Sequence, residues 1–413
     1  MSLLERIDRW MWHREVRADW GTTGTTAPPR TRYVSLSGAA VDMSSTLGLA
    51  TAGAAVKLVS ETVGLAPLKI YQGEKPDVTE ARDSWQWFRL KEQPNDDQSA
   101  FDFWTDAASS IETEGDAFIW KSFSRRPVRG AEEIELYLLD PGRVQVKRDE
   151  NGKRYYEVWR NGQREKVPAS QILHIRGWTS VPGGDRGLST VAQYRETLGT
   201  ALAGQEYASE FYANGMSIPG WVTVPGVPDQ ESQDRLQEIT QQRHGGPGNR
   251  HKIGILSNGA GWVPSGISQK DAQFIETMSF SAEEMCRVFR VWPPMLGVNM
   301  TASKGGDDDR DRFLTVDMAP RYRRIEMAVG RDPDLFPAGS ELFPEFLTAA
   351  ILKPSILARN AAYKDALQAG WQVANEVREL ENYPPLEGGD TLQQTPVGGA
   401  PNPSQPEPVD QEG

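Results

Sequence analysis

One cysteine, Cys286, stands in 413 residues, so no intrachain disulfide can form and a stapled secreted scaffold is excluded. Basic charge is also in deficit. The chain carries 45 Lys and Arg against 57 Asp and Glu, with four histidines, for a formal net charge of −12. A surface built to grip nucleic acid neutralises phosphates with clustered cations, and this balance argues against one. No Gly-x-x-x-x-Gly-Lys-Ser/Thr pattern occurs, so the phosphate cradle of an ATPase is missing. The most lipid-like stretch, Leu47 to Leu65, is interrupted by Lys57 and Glu61 and falls short of the roughly 20 uninterrupted apolar residues a span needs. The first ten residues mix charges among their apolar side chains and lack the apolar core of a signal peptide.

What the chain does have is length for two or three ordinary domains. A breaker-rich run, Gly21 to Pro29, marks residues 1–40 as a flexible arm. Small and aliphatic residues at helical spacing predict a helix from Ser45 to Val63, followed by a strand at Leu68–Tyr71. A second helix, Ser99 to Gly115, presents Phe101, Trp104, Ala108 and Ile111 on one stripe. The period then changes to two, predicting an antiparallel meander at 117–123, 134–139, 143–147, 155–160 and 171–176. Asp140-Pro141-Gly142, Asn151-Gly152 and Asn161-Gly162 supply its turns.

A long helix is expected over Leu188–Ala213, closed by Gly215. A compact insert follows, with strands at 221–224, 252–256 and 262–264 around a polar helix at 229–243. Further helices are expected at Gln269–Val288, at Arg312–Val329 with a kink at Pro320, at Pro344–Ala350 and at Ser355–Leu380. In the last of these, Ala361, Ala362, Ala366 and Ala369 suit close packing. From Pro384 onward the composition is that of a disordered tail.

Few residues point to chemistry. Asp307, Asp308, Asp309 and Asp311 are the nearest approach to a metal-binding carboxylate cluster. Consecutive aspartates point in different directions, no Glu or His completes a two-metal site, and Asp favours a first helical turn. His174 sits in an apolar strand and reads as a structural histidine; Cys286 reads as a small core residue. Ser189 and Ser279 lie in no nucleophile elbow. Trp104, Trp159 and Trp178 fall at core-like positions, not on a basic stacking platform.

An ordered series of short patterns is the strongest signal. It runs from Gly115-Asp116-Ala117-Phe118, Leu139-Asp140-Pro141, Ile172-Leu173-His174-Ile175 and Phe211-Tyr212-Ala213-Asn214-Gly215 to Trp292-Pro293-Pro294-Met295-Leu296-Gly297 and Asn375-Glu376-Val377-Arg378, and includes Glu387-Gly388-Gly389-Asp390. In order and spacing, over about residues 40 to 390, the series resembles the portal proteins of tailed bacteriophages, the ring-shaped DNA gates at one capsid vertex.

The resemblance implies an α+β subunit. It assigns a wing of helices and antiparallel sheet to 41–186, stem helices to 187–214 and 269–289, and a clip to 215–268. A second wing segment would span 290–343, with a tunnel loop at 298–311 and a long helix at 312–329. Crown helices would occupy 344–382 and a tail 383–413. It further implies a ring, dodecameric when mature, with no enzymatic activity and no cofactor. The ring would let double-stranded DNA in, retain it and release it on ejection. Expected partners are the large terminase subunit, the major capsid and scaffold proteins, and the head-tail adaptor, in the virion and, during assembly, the host cytoplasm. An acidic wall suits such a passage, because it repels a duplex from every side and a ring multiplies the charge.

The loop residues expected at the channel are Asn299, Thr301, Ser303, Lys304, Gly305, Gly306, Arg310 and Arg312. In the clip, Trp221, Gln230, Arg235, Glu238, Gln242 and Arg243 are the expected motor and adaptor contacts. Near the C-terminus Asn375 is expected to cap the short helix that follows it, with Glu376 and Glu379 at its positive end. Two readings from other classes stand beside this one: a head-completion or tail scaffold ring with no translocation role, and a metal-dependent nuclease using Asp307 to Asp311.

Overall fold

The computed structural model describes residues 32–213 apart from 75, 124–132, 161 and 180–181, together with 221–223, 261–263, 281–348, and 356–392 apart from 382. Two compact units divide the chain, 1–351 and 352–413.

The first unit opens with a short ribbon, β1 (Tyr33–Val34) on β2 (Ala40–Val41). Asp42 then caps α1 (Met43–Gly48), exchanging hydrogen bonds of 2.8 Å with Ser45 through side chain and backbone in both directions. The single helix expected over 45–63 is two, because Leu49 is extended (ψ 121°) before α2 (Ala50–Leu65). There follow β3 (Leu68–Glu74), β4 (Asp77–Glu80) and α3 (Trp85–Trp87), which runs into a π-helical turn at Phe88–Glu92. The helix α4 (Ala100–Glu114) carries Ser99 as its N-cap and Gly115 in the left-handed conformation (φ 83°) as its C-cap.

The expected stripe of α4 is buried at Trp104, Ala108 and Ile111, whereas Phe101 faces outward. Its close partner is α2: a Cβ on Gly64 would lie 2.7 Å from the Phe101 carbonyl oxygen, so the absence of a side chain there permits the approach.

Two three-stranded antiparallel sheets replace the expected single meander. One has the order β10 (Ile172–Arg176), β5 (Asp116–Phe123), β6 (Ile134–Leu139). The other runs β7 (Val144–Arg148), β8 (Arg154–Arg160), β9 (Gln163–Pro168), the last of which the sequence pattern does not reveal. They share one apolar cluster: Phe118, Trp120, Leu139 and Ile172 from the first meet Val144, Tyr156, Val158 and Val167 from the second. With helices against its other face, β5 is buried from Asp116 to Ser122, which is why its polar residues need partners. Lys121 Nζ lies 2.7–2.8 Å from both Asp332 oxygens and 2.8 Å from Asp334.

Asp116 opens β5 fully buried and accepts from three sides: His174 Nε2 at 2.9 Å, Arg186 Nε at 2.8 Å and the Gly187 amide at 2.8 Å. Burial works to raise its carboxyl, but these donors hold it below the ordinary aspartate value. Cβ atoms on Gly177 and Gly187 would lie 2.4 and 1.9 Å from the Gly115 carbonyl oxygen, so backbone alone fits there. His174 is thus structural, stacked on Phe118 with ring centroids 4.4 Å apart. The loop from Gly177 to Gly187 is thereby folded back on the start of β5. From it the chain passes to α5 (Thr190–Gln193) and, after a break at Tyr194, α6 (Arg195–Ala213). The expected helix start at Leu188 is instead part of the preceding loop, and Ser189 serves as the N-cap of α5. Trp178 is 59% exposed, against the core position expected of it.

The strands β11 (Trp221–Thr223) and β12 (Gly261–Val263) pair antiparallel. The expected helices at 229–243 and in the first part of 269–288, the strand at 252–256 and Gly215 lie outside the described residues. Helix α7 is described over 281–288, with Cys286 buried in it. The next long helix begins at Gly306, six residues before the expected start, as α8 (Gly306–Arg312), a π segment (Phe313–Met318) and α9 (Ala319–Gly330). Pro320 falls in the first turn of α9, where its missing N–H is least costly, and the π segment before it absorbs the register change.

Residues 342–346 form β13 (Leu342–Phe346), not the start of a helix. This edge strand pairs with β3, and Pro344 sits opposite Ile70. Bonds from Leu347 to Pro67 and from Gly73 to Glu341 set the alternation; they place Pro344 at a non-hydrogen-bonded position, where it removes no ladder bond.

The second unit holds α10 (Ile356–Gln368) and α11 (Ala374–Leu380), two helices in place of one, parted at Gly370 with φ 72°. Ala361, Ala362 and Ala369 are exposed there instead of closely packed. Asn375 lies inside α11 and does not cap it. Its side chain donates to Leu386 O and Asp390 and accepts from the Leu386 amide, tying the last two sequence patterns together. Glu376 accepts from the Val373 amide at 3.0 Å, at the helix start as expected.

Burial holds the His174 imidazole below its ordinary value despite the Asp116 carboxylate. Below about pH 6.5 the unfolded chain takes up a proton that the folded chain resists, so stability falls as pH falls through that range. The thermal midpoint of wild type is expected to drop between pH 7 and pH 5, with a flatter slope for His174→Gln; equal slopes would contradict the assignment.

Candidate channel segment and its anchors

The segment between α7 and α8 is built from turns. Trp292 leads into a 3₁₀ turn at Pro293–Leu296 that closes on Gly297 (φ 70°). Asn299 follows in the left-handed region (φ 49°), a second 3₁₀ turn covers Met300–Ala302, and Gly305 (φ 124°) precedes α8. That last conformation is open essentially to glycine.

Asp309 holds the segment shut. It is the inward-facing member of the aspartate run, and its Oδ1 accepts from Trp292 Nε1 at 3.0 Å while Oδ2 accepts from Ser303 Oγ at 2.5 Å. The Ser303 hydroxyl first, then the Trp292 indole, hold its carboxyl below the ordinary aspartate value against the effect of burial. Arg312 lies over the Trp292 ring, 4.0 Å from its centroid. Asp317 completes the anchor, accepting from the Trp292 amide at 3.2 Å.

The eight expected channel residues therefore lie on one segment, but not all on its free surface. Asn299, Thr301, Lys304, Gly305 and Gly306 are exposed. Ser303 is turned to Asp309, Arg310 lies 3.7 Å from Asp307, and Arg312 is stacked on Trp292. Among the described residues, Lys304 alone of these three cations has a side chain with no carboxylate or ring partner, its backbone amide donating to Asp309 at 3.4 Å. The last part of the expected loop, 306–311, is helical.

Trp292 and Asp309 escape sequence reasoning because they are 17 residues apart and the aspartates read as one solvated run. An indole in a Pro-Pro turn upstream of that run is the only trace. Asp307 and Asp308 point outward while Asp309 turns in, and among the described residues no three His, Cys, Asp or Glu side chains gather as a metal site. Of the expected clip contacts, Trp221 lies on β11; Gln230, Arg235, Glu238, Gln242 and Arg243 lie outside the described residues. Among the described residues no helix is long and apolar enough to cross a membrane.

This fold, a mixed helix-and-sheet subunit with a turn segment clamped ahead of a long helix, has known counterparts. The model of the family described as phage portal protein matches residues 50–382, and the chain belongs to that family. It is 27% identical over 380 residues to a probable portal protein of Streptomyces phage phiC31, covering 86% of this chain and 79% of that one. To the portal protein of Enterobacteria phage HK97 it is 25% identical over 376 residues, covering 89% and 86%. Among solved structures, the neck of a native gene transfer agent particle, computed with C12 symmetry, aligns with a TM-score of 0.56 and 20% identity over 87% of this chain and 97% of that chain.

Removing the Asp309 acceptor is expected to loosen the segment locally. In Asp309→Ala, amide hydrogen exchange over 298–306 should accelerate by about tenfold, as the loss of one or two hydrogen bonds would produce, while β5 stays protected. Unchanged exchange over 298–306 would show that the anchor does not hold it.

Proposed function

We propose that this chain is the subunit of a ring at one capsid vertex through which double-stranded DNA is packaged, retained and ejected. Its role is that of a structural assembly component and not a catalyst. The observation that carries this reading is the family match over residues 50–382. The C12 symmetry of the solved neck supports twelve copies. Residues 41–186 and 290–343 would form the wing, and 187–214 and 269–289 the stem. The clip would be 215–268, the crown 344–382.

The segment 299–306 would face the channel. Its anchor fits that role, since Trp292 and Asp309 hold its two ends while the exposed residues between them, apart from Met300, are polar or glycine. Lys304 offers one cation beside the exposed Asp307 and Asp308. With a net charge of −12 on the chain, contact with phosphate is brief and the duplex slides. The clip would dock the large terminase subunit and later the head-tail adaptor, and the ring would contact major capsid and scaffold proteins, in the host cytoplasm and then in the virion.

Complementation of a portal-deficient phage tests the reading. Replacing Ser303–Gly306 by a short linker is expected to leave rings intact and reduce packaged DNA, and deleting 230–243 to spare rings but abolish terminase binding. Normal genome length in the first variant would remove the channel role from this segment. Normal packaging in the second would remove the motor contacts from the clip.

A further inference from the structure

A cleft of about 300 Å³ lies where α4, the end of α7 and α9 meet, with Trp178 and Tyr194 among its lining residues. One of its arginines is fully engaged. Arg321 is bidentate to Glu112 at 2.8 Å through Nε and Nη2 and donates to the carbonyls of Asp317 and Phe289 at 2.6 and 2.7 Å. The other two, Arg290 and Arg324, have no hydrogen-bond or ion-pair partner among the described residues. Burial, with the neighbouring Arg321 and Arg290, holds Arg324 below the ordinary arginine value. Asp317 is committed in part elsewhere, accepting from the Trp292 amide at 3.2 Å, and Glu112 is held by Arg321. The cleft is therefore short of negative charge.

Arg290 adds a second observation. It ends α7 in the left-handed region (φ 49°), beside a bond from the Val291 amide to the Cys286 carbonyl at 2.9 Å. Glycine is the usual residue at such a position. A strained arginine there, lining a cleft that already holds two others, points to use of its side chain. The rim is aromatic as well as cationic, with Trp178 59% and Tyr194 37% exposed.

The opposite charge lies at the other end of α4. Glu92, Asp96, Asp97, Asp102 and Asp106 are exposed around its N-terminus, where Lys91 is the nearby cation, paired with Glu92. From Ser99 to Glu112 is about 20 Å along the helix at 1.5 Å per residue. One rigid element thus carries an acidic edge at one end and an arginine cleft at the other. A ring of identical subunits needs two such unlike, complementary faces.

We propose that the arginine cleft is the socket by which one subunit receives the acidic edge of the next, carboxylates from residues 92–102 meeting Arg290 and Arg324 between the Trp178 and Tyr194 rings. This rests on the ring reading above. A second copy suits the cleft better than DNA does: it is small enough for side chains, holds two carboxylates of its own, and lacks the row of exposed cations that tracks a backbone. Arginine also favours carboxylate through its planar fork.

Charge reversal of the full-length chain tests the pairing by native mass spectrometry. R290E/R324E and E92K/D97K, each made alone, are expected to lose rings in favour of monomer. Mixing the two variants should restore rings in which they alternate, and combining all four substitutions in one chain should restore rings of one species. Rescue in either form separates a lost contact from a lost fold. Rings formed by either variant alone, or no rescue from variants whose thermal midpoints match wild type, would overturn the socket while leaving the ring reading intact. A wild type that forms no ring under any condition would overturn both.

Discussion

The buried carboxylate of Asp116 is the constraint on which the rest of the subunit depends. A charge at 0% exposure is tolerated only when it is satisfied from every side, and its three donors come from β10, from Arg186 and from the backbone at Gly187. Meeting them fixes the pairing of β5 with β10. It also turns the loop from Gly177 to Gly187 back onto Gly115, which aims the chain into α5 and α6. Arg321 does the corresponding work on the return path, joining α4, α9 and the end of α7 through Glu112 and the Phe289 carbonyl. The outgoing and returning helices are therefore both referred to α4 and β5, and the turn segment clamped by Trp292 and Asp309 begins directly after the second of these joints.

Two of the short sequence patterns acquire a physical meaning from this arrangement. Gly115-Asp116-Ala117-Phe118 and Ile172-Leu173-His174-Ile175 are the two halves of one buried polar knot, with His174 bridging Asp116 and stacking on Phe118. Asn375 and Gly389 also meet closely, though nearer the surface, since a Cβ on Gly389 would lie 2.4 Å from Asn375 Oδ1. Order and spacing carried the family resemblance, and the contacts show what those residues do in this chain.

Local rules made much of the fold legible. The caps at Ser99 and Gly115, the strand at Ile134–Leu139 and the Asp140-Pro141-Gly142 turn follow from side-chain chemistry within a few residues. What local rules could not show depended on distant partners. Proline at 344 argues for a helix start until β3 supplies a strand edge on which its missing N–H is harmless. The strand β9 reads as charged loop because its outer face is solvated and only Val167 reaches the shared core. In the candidate channel segment the exposed polar residues could be read directly. The inward turn of Asp309 could not, because consecutive aspartates look alike until one of them meets Trp292.

Electrostatics links these elements to assembly. For an acidic chain, closing into a ring means overcoming its own repulsion, and cations kept free for a neighbour are one way to do so. Imaging of the purified full-length chain, with native mass determination and class averages, tests this most directly. The account predicts a closed ring of about twelve copies, as in the C12 neck, with an open axial hole; a monomer that persists at high concentration, even with capsid and scaffold proteins added, would contradict it.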